Sequence, residues 1–302
     1  MIKKEIAPCI VVYKKLINNS EEILKIIKKY EIENGEIINP SIKYLKKLSD
    51  LGMNIDGFNL LKHRENAFEW KQFTSTKVAS TGKKIGLFTE NIINRNNNSE
   101  EYKNIISILN VFKIVFQDYL TEHKNCKFWM PYINSFDLNN NSWIDYFLTI
   151  LKHNKNDTDP SGAYTMGYHV DSSDANIEPG FKHAVTVNIY LNDDYEDGRI
   201  NFALNNDLDS KKNKIDSIVS YKPKAGDIVV YPAGLPIAHA VERPIGSNRY
   251  VLNSFMEWEY DGSMGEELLK YIDPDVYETA NIMAASVSEE NIKHIDGKDF
   301  FE

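Results

Sequence analysis

The stretch Tyr168-His169-Val170-Asp171 decides how this chain is read. In an extended strand successive side chains alternate faces, so His169 and Asp171 project to one side and can grip a single metal ion, while Val170 turns into packing. One imidazole and one carboxylate, completed by a second imidazole from elsewhere, form a facial triad that leaves the opposite coordination positions open. A His-x-Asp pair arises by chance in many chains. Two later residues give this one weight: His239 and, ten positions on, Arg249.

Residues 226 to 232, Gly-Asp-Ile-Val-Val-Tyr-Pro, read as a strand, and after the bend Ala233-Gly234-Leu235-Pro236 comes the strand holding His239. Arg243 to Arg249 then reads as a hairpin loop leading into Tyr250-Val251-Leu252-Asn253-Ser254-Phe255. With Arg243 opposite Arg249, an antiparallel register sets His239 opposite Asn253 and puts Arg249 on the face of both. A guanidinium offers a planar fork to a carboxylate, and a triad with open positions suits iron and oxygen chemistry. Together they describe a site for an anion that also binds the metal, and a five-carbon keto-diacid fits.

The rest of the chain frames this site. A length of 302 residues with 42% hydrophobic content supports one large domain with extensions. A net charge of -9 without a basic stripe makes nucleic acid a poor partner. Cys9 and Cys126 lack a Cys-x-x-Cys neighbour and read as small packed hydrophobes rather than a disulfide framework or a zinc site. No apolar run reaches membrane-spanning or signal-peptide length, so the expected compartment is the cytoplasm, with no membrane partner.

Asn19-Ser20-Glu21-Glu22 resembles a capping box, opening a helix whose buried face is Ile23, Leu24, Ile26, Ile27 and Tyr30. Ser41 to Leu51 reads as a second short helix, and Gly52 to Gly57 as a turn. Residues 58 to 98 contain strand-like apolar residues and carry no functional reading. From Ser99 to His123 the residues Tyr102, Ile105, Ile106, Leu109, Phe112, Phe116, Tyr119 and Leu120 recur at helical spacing, as expected of a helix covering one face of a sheet. The pattern then turns to short strands: Trp143 to His153, Met166 to Asp171, Ala184 to Leu191, Ile200 to Leu204, Ile218 to Tyr221, Asp227 to Tyr231, Ile237 to Glu242 and Tyr250 to Trp258. Such a series after a helical half predicts a sheet sandwich or barrel with helices outside one face. A helix over Glu266 to Tyr271 and a solvated acidic tail over Ser288 to Glu302 complete the reading.

The order His169-x-Asp171, His239, Arg249 resembles the 2-oxoglutarate- and Fe(II)-dependent dioxygenases, specifically their prolyl 4-hydroxylase-like branch. Ala184-Val-Thr-Val-Asn-Ile-Tyr-Leu-Asn192 is similar to the family's central strand, Gly198 to Phe202 to the next, and Gly226-Asp227 and Arg249-Tyr250-Val251 to its closing elements. The resemblance covers residues 143 to 258. It implies an α+β, mainly β, double-stranded β-helix (jelly-roll) barrel with helices on one face. It divides the chain into an N-terminal support (1–142), a catalytic core (143–258) and a C-terminal helix and tail (259–302).

Carried over by position, His169, Asp171 and His239 are the metal ligands, and Arg249 binds the distal carboxylate of 2-oxoglutarate with help from the Tyr190 hydroxyl. The family pattern Tyr-x-x-Gly-x-x-Tyr-x-x-His-x-Asp appears here as Tyr164-Thr-Met-Gly-Tyr168 directly before His169, so either Tyr164, the favoured choice, or His153 fills the cosubstrate tyrosine position. The usual Gly-Gly pair appears as Asp197-Gly198. The implied cofactors are Fe(II), 2-oxoglutarate and O2, with ascorbate as a candidate reductant. The implied reaction is hydroxylation of an unactivated C–H bond, of a prolyl residue or an amino acid, with release of succinate and CO2. The intact Asp171 favours hydroxylation over halogenation. Arg243 and Arg249 also spell the Arg-x5-Arg of nucleic-acid dealkylating oxygenases, which the acidic charge opposes. A protein or small-molecule substrate is expected. Two alternatives stand beside this reading: a non-catalytic barrel that binds a metabolite or metal, and an oxygenase of another small-molecule class. Oligomeric state is left open.

Overall fold

Alternation of inward and outward residues builds two facing sheets. The computed structural model describes residues 1–32, 71–72, 83–87, 100–123, 148–153, 155, 164–171, 180–204, 215–234, 237–260 and 284–299. The expected elements at 41–57 and 266–271 lie outside these residues. In order, the elements are β1 (Ile2–Ala7), β2 (Ile10–Lys14), α1 (Ser20–Ile32), β3 (Lys71–Gln72), β4 (Lys83–Leu87), α2 (Glu100–His123), β5 (Leu148–His153), β6 (Tyr164–His169), β7 (Gly180–Tyr190), β8 (Glu196–Asp197), β9 (Ile200–Leu204), β10 (Ser217–Lys222), β11 (Ile228–Pro232), β12 (Ala238–Glu242), β13 (Pro244–Ile245), β14 (Arg249–Tyr260) and β15 (Ile292–Asp296).

An eight-stranded sheet runs β1-β2-β11-β7-β14-β5-β4-β3, and a five-stranded sheet runs β15-β10-β9-β12-β6. The short β8 and β13 pair with each other. This is the mainly β arrangement of a double-stranded β-helix, with sheets that do not close into a barrel. Its interior follows from strand periodicity. On β7, Val185, Val187 and Ile189 share one cluster with Ile228 and Val230 of β11, Tyr250 and Leu252 of β14, and the helices. The alternate residues Tyr190, Val229, Tyr231 and Val251 join Ile200, Phe202 and Val219 of the second sheet.

Phe112, Phe116, Tyr119 and Leu120 of α2 lie in the first cluster, so the aromatic stripe covers the outer face of the large sheet, as its spacing predicts. Ile108, Val111 and Val115, which the predicted stripe omitted, widen it. Helix α1 begins at Ser20, and the Asn19 side chain reaches Asn104 of α2. Among the described residues no helix is long and apolar enough to cross a membrane.

Three expectations are corrected. β12 and β14 do not form a hairpin: β12 pairs with β6 and β9, whereas β14 pairs with β5 and β7, because the 243–248 connection carries the chain from one sheet to the other. Arg243 therefore does not face Arg249. The tail is not merely solvated, since β15 adds to β10 in parallel. Cys9, in the turn between β1 and β2, is disulfide-bonded rather than a free thiol; Cys126, the only other cysteine, lies outside the described residues.

Candidate active site

His169 closes β6 and His239 lies near the start of β12, and the antiparallel register sets the two directly opposite. Their ring centroids are 4.2 Å apart. Asp171, two residues beyond His169, is anchored by its backbone N–H donating to Ala233 O at 2.9 Å. Its Oδ1 is 3.6 Å from His169 Nε2 and its Oδ2 is 3.7 Å from His239 Nε2. One ligand atom from each of the three lies within 4.8 Å of the others. Val170 and Tyr168 are buried on the opposite face of the small sheet, the alternation that His-x-Asp requires.

The protonation pattern suits a cation. His169 Nδ1 is 2.8 Å from Gly167 O, and a carbonyl can only accept, so Nδ1 carries a proton and Nε2 is the ring nitrogen turned toward Asp171. Burial pushes His239 down to about 3, with the positive potential of His169 adding to it against the carboxylate, so this imidazole is neutral. Its ring is held by packing, 4.8 Å from Tyr231 and 6.2 Å from Phe202 between centroids. Burial alone would raise the Asp171 carboxyl. The neighbouring His239 and His169 rings, with a hydrogen bond from Thr186, outweigh it and hold the group below the usual carboxylate range. Two imidazoles and one carboxylate are the donor set of a facial-triad iron site with open positions.

Arg249 is buried to 1% exposure at the start of β14. It donates from Nη1 to Gly198 O, its guanidinium carbon lies 5.9 Å from the Tyr190 ring centroid, and its Nε has no hydrogen-bond partner. No carboxylate pairs with it among the described residues. An uncompensated buried charge costs several kcal/mol, on the order expected where an anionic ligand is to complete the site. Directly across the β5/β14 pairing stands His153. Burial, with Arg249 and His169 nearby, holds His153 well below its ordinary value, and its Nδ1 lies 2.9 Å from Thr165 Oγ1.

The structure thus gathers His169, Asp171 and His239 into one cluster and sets Tyr190 beside Arg249. It does not bring Tyr164 to them. Tyr164 pairs with Glu242 at the far end of β6 and packs edge-on to Tyr168, 5.9 Å between centroids, on the outer side of the small sheet. Of the two candidates for the position near the cosubstrate, His153 is the one facing Arg249. The reason is again strand parity, since inward Thr165 separates Tyr164 from the interior.

Four polar residues on the inner face of the large sheet escaped sequence reasoning. Thr186 Oγ1 donates to Asp171 Oδ2 at 2.7 Å, and Tyr231 OH lies 3.3 Å from the same oxygen and 3.2 Å from His239 Nε2. Asn188 Nδ2 donates to Tyr231 OH at 3.0 Å, and Asn253 Nδ2 to Asn188 Oδ1 at 2.8 Å. A signal existed. Thr186 and Asn188 interrupt Val185-x-Val187-x-Ile189 at alternate positions, which marks a strand whose second face is buried but polar.

A His-Asp-His cluster between the two sheets, with a buried arginine on the same interior, has the donor types that a non-haem iron site would use. Residues 158–257 match the family model of the 2OG-Fe(II) oxygenase superfamily. The match covers about a third of the chain, and the family it describes uses Fe(II), 2-oxoglutarate and O2. No curated protein sequence matches the chain. Similar solved structures include a prolyl-4-hydroxylase from Pseudomonas putida, with 10% identity, TM-score 0.44, and coverage of 84% of this chain and 94% of that one. A prolyl hydroxylase from Trichoplax adhaerens, in complex with a hypoxia inducible factor peptide fragment, shows 12% identity, TM-score 0.36, and coverage of 83% and 93%. A viral collagen prolyl hydroxylase from Paramecium Bursaria Chlorella virus-1 shows 12% identity, TM-score 0.34, and coverage of 59% and 80%.

The residues present fit both groups the family uses. The three donors converge as two imidazoles and a carboxylate. The unmet Nε of Arg249 supplies a donor for a carboxylate.

Proposed function

We propose that this protein hydroxylates an unactivated C–H bond of a prolyl residue or an amino acid, through Fe(II) held by His169, Asp171 and His239. The observation that carries the reading is the buried, incompletely bonded Arg249 on the same interior as the triad. Arg249 takes the distal carboxylate of 2-oxoglutarate, a charge-assisted pairing stronger than a neutral hydrogen bond. Tyr190 flanks the guanidinium, and neutral His153 adds no second positive charge against it. The triad residues hold the metal and leave its remaining positions for cosubstrate and oxygen. Iron and 2-oxoglutarate, when bound, supply the chemistry: oxygen is divided between the substrate C–H bond and the carboxylate of succinate, with loss of CO2. Phe202, Val229 and Val251 line this interior with buried apolar side chains.

The resemblance of residues 143 to 258 supports the prolyl or amino-acid substrate, with 1–142 and 259–302 as supporting segments. Both flanks contribute strands, β1 and β2 to the large sheet and β15 to the small one. A cytoplasmic location would supply a reductant for ferrous iron but would not preserve the Cys9 disulfide.

The test is succinate formation from anaerobically purified protein given Fe(II), ascorbate, 2-oxoglutarate and O2, screened with prolyl peptides and free amino acids. Succinate made by the native protein and lost in Asp171→Ala and Arg249→Ala supports the reading. Failure to form succinate with any substrate, together with metal-independent binding of 2-oxoglutarate, turns it into a binding barrel.

A further inference from the structure

Asp171 offers two oxygens, and the metal needs one. Its Oδ2 sits 2.7 Å from Thr186 Oγ1 and 3.3 Å from Tyr231 OH, while Oδ1 faces His169 Nε2 at 3.6 Å. A carboxylate oxygen can only accept, so both hydroxyls must donate if they bond to it. For Tyr231 the direction is set from behind. Asn253 Nδ2 donates to Asn188 Oδ1, and Asn188 Nδ2 donates to the phenol oxygen, which leaves the phenol proton pointing at the triad. Three adjacent strands of the large sheet, β7, β11 and β14, thereby converge on one oxygen of a ligand that belongs to the other sheet.

From this we infer that Thr186 and Tyr231 are positioning residues that occupy Oδ2 and make Asp171 a one-oxygen metal ligand, with Asn188 and Asn253 orienting the phenol. The inference rests on the metal-site reading above. Its physical content is that a carboxylate free to rotate can bind through both oxygens and consume a coordination position. Fixing Oδ2 keeps that position open for cosubstrate or oxygen. Tyr231 also lies 3.2 Å from His239 Nε2, so in the absence of metal the phenol is shared between two acceptors. Metal binding at Nε2 removes one of them and commits the proton to Asp171. Residues that hold ligands from behind typically contribute about 10- to 100-fold to metal affinity.

The experiment is calorimetric titration of the metal-free full chain with Co(II), with the visible absorption of the Co(II) form recorded alongside. Tyr231→Phe and Thr186→Val remove one hydroxyl each and almost no volume, and Thr186→Ser keeps its donor. Native protein should bind Co(II) and lose binding in Asp171→Ala; absence of native binding overturns the metal-site reading itself. Given native binding, Tyr231→Phe and Thr186→Val should each weaken it by roughly 10-fold or more and alter the Co(II) spectrum toward higher coordination, with Thr186→Ser near native. Native affinity and an unchanged spectrum in both variants overturn the inference. So does equal weakening in Thr186→Ser, which would mean packing rather than the donor. Melting temperatures of the metal-free variants separate lost folding from lost positioning.

Discussion

His153 and Arg249 stand opposite each other in the antiparallel pairing of β5 with β14, both almost fully buried. A histidine and an arginine this close inside a protein cannot both be charged without a large cost, and the histidine yields. The Arg249 Nε is left without a hydrogen-bond partner, the donor that the proposed anion would take.

Removing that charge should act on the cosubstrate more than on the fold's other contacts. Arg249→Leu is expected to raise the KM for 2-oxoglutarate by roughly 10- to 100-fold, the worth of a charged hydrogen bond of about 1.5–3 kcal/mol. Arg249→Lys should recover only part, since an ammonium lacks the planar fork. Steady-state succinate formation against 2-oxoglutarate concentration measures both.

The neutral state of His153 makes stability depend on pH. Its folded value lies well below 6.5, so between the two the unfolded chain binds a proton that the folded chain refuses. Stability is complete above about 6.5 and declines on acidification, by about 1.4 kcal/mol per pH unit for this one group. Chemical denaturation of the metal-free protein from pH 7 to 5 should show that slope. His153→Asn should flatten it by about one proton's worth.

Two neighbouring backbone positions should respond in opposite directions. Asp197 has φ 48 and Gly198 has φ 63, both left-handed. Asp197→Gly relieves side-chain strain and is expected to stabilise by a few tenths to about 1 kcal/mol. A Cβ on Gly198 would meet the Tyr195 ring at 2.8 Å, so Gly198→Ala should destabilise by about 1–3 kcal/mol. Gly198 O also accepts from Arg249, so the same variant should weaken 2-oxoglutarate binding. Denaturation midpoints and calorimetry test the pair.

The end of β15 is keyed into the core. A Cβ at Gly297 would lie 2.7 Å from Tyr221 Oη and 2.8 Å from Asp227 Oδ2, and Lys14 Nζ holds the Gly297 carbonyl. Gly297→Ala is expected to cost about 1–3 kcal/mol and to speed amide exchange in β15 first. Native exchange rates in that variant would show the strand to be dispensable.

The triad was legible because its evidence is local: parity in Tyr168 to Asp171, and a histidine on a short strand bounded by turn residues. Ile200–Leu204 was equally clear, its ends marked by Gly198 and Asn205. The register argued for Arg249 was wrong, because a short loop between two strands usually means a hairpin and here it changes sheets. Tyr164 was favoured over His153 because a motif counts positions along one strand, whereas the site depends on which strand lies beside β14. β15 was missed because its burial pattern, with Lys293 and His294 exposed, carries no alternation strong enough to mark an edge strand. Thr186 and Tyr231 act through contacts with Asp171, 15 and 60 residues away in sequence, a relation visible only after folding.

The central claim is that one interior holds both the metal and the anion. Its most direct test is calorimetric titration of 2-oxoglutarate under anaerobic conditions into native protein with and without Fe(II), and into Asp171→Ala and Arg249→Leu with Fe(II). The account predicts saturable binding in the native protein that requires Fe(II), is lost in Asp171→Ala, and is weakened at least 10-fold in Arg249→Leu. Equal binding with and without metal, or full binding in Arg249→Leu, would contradict it.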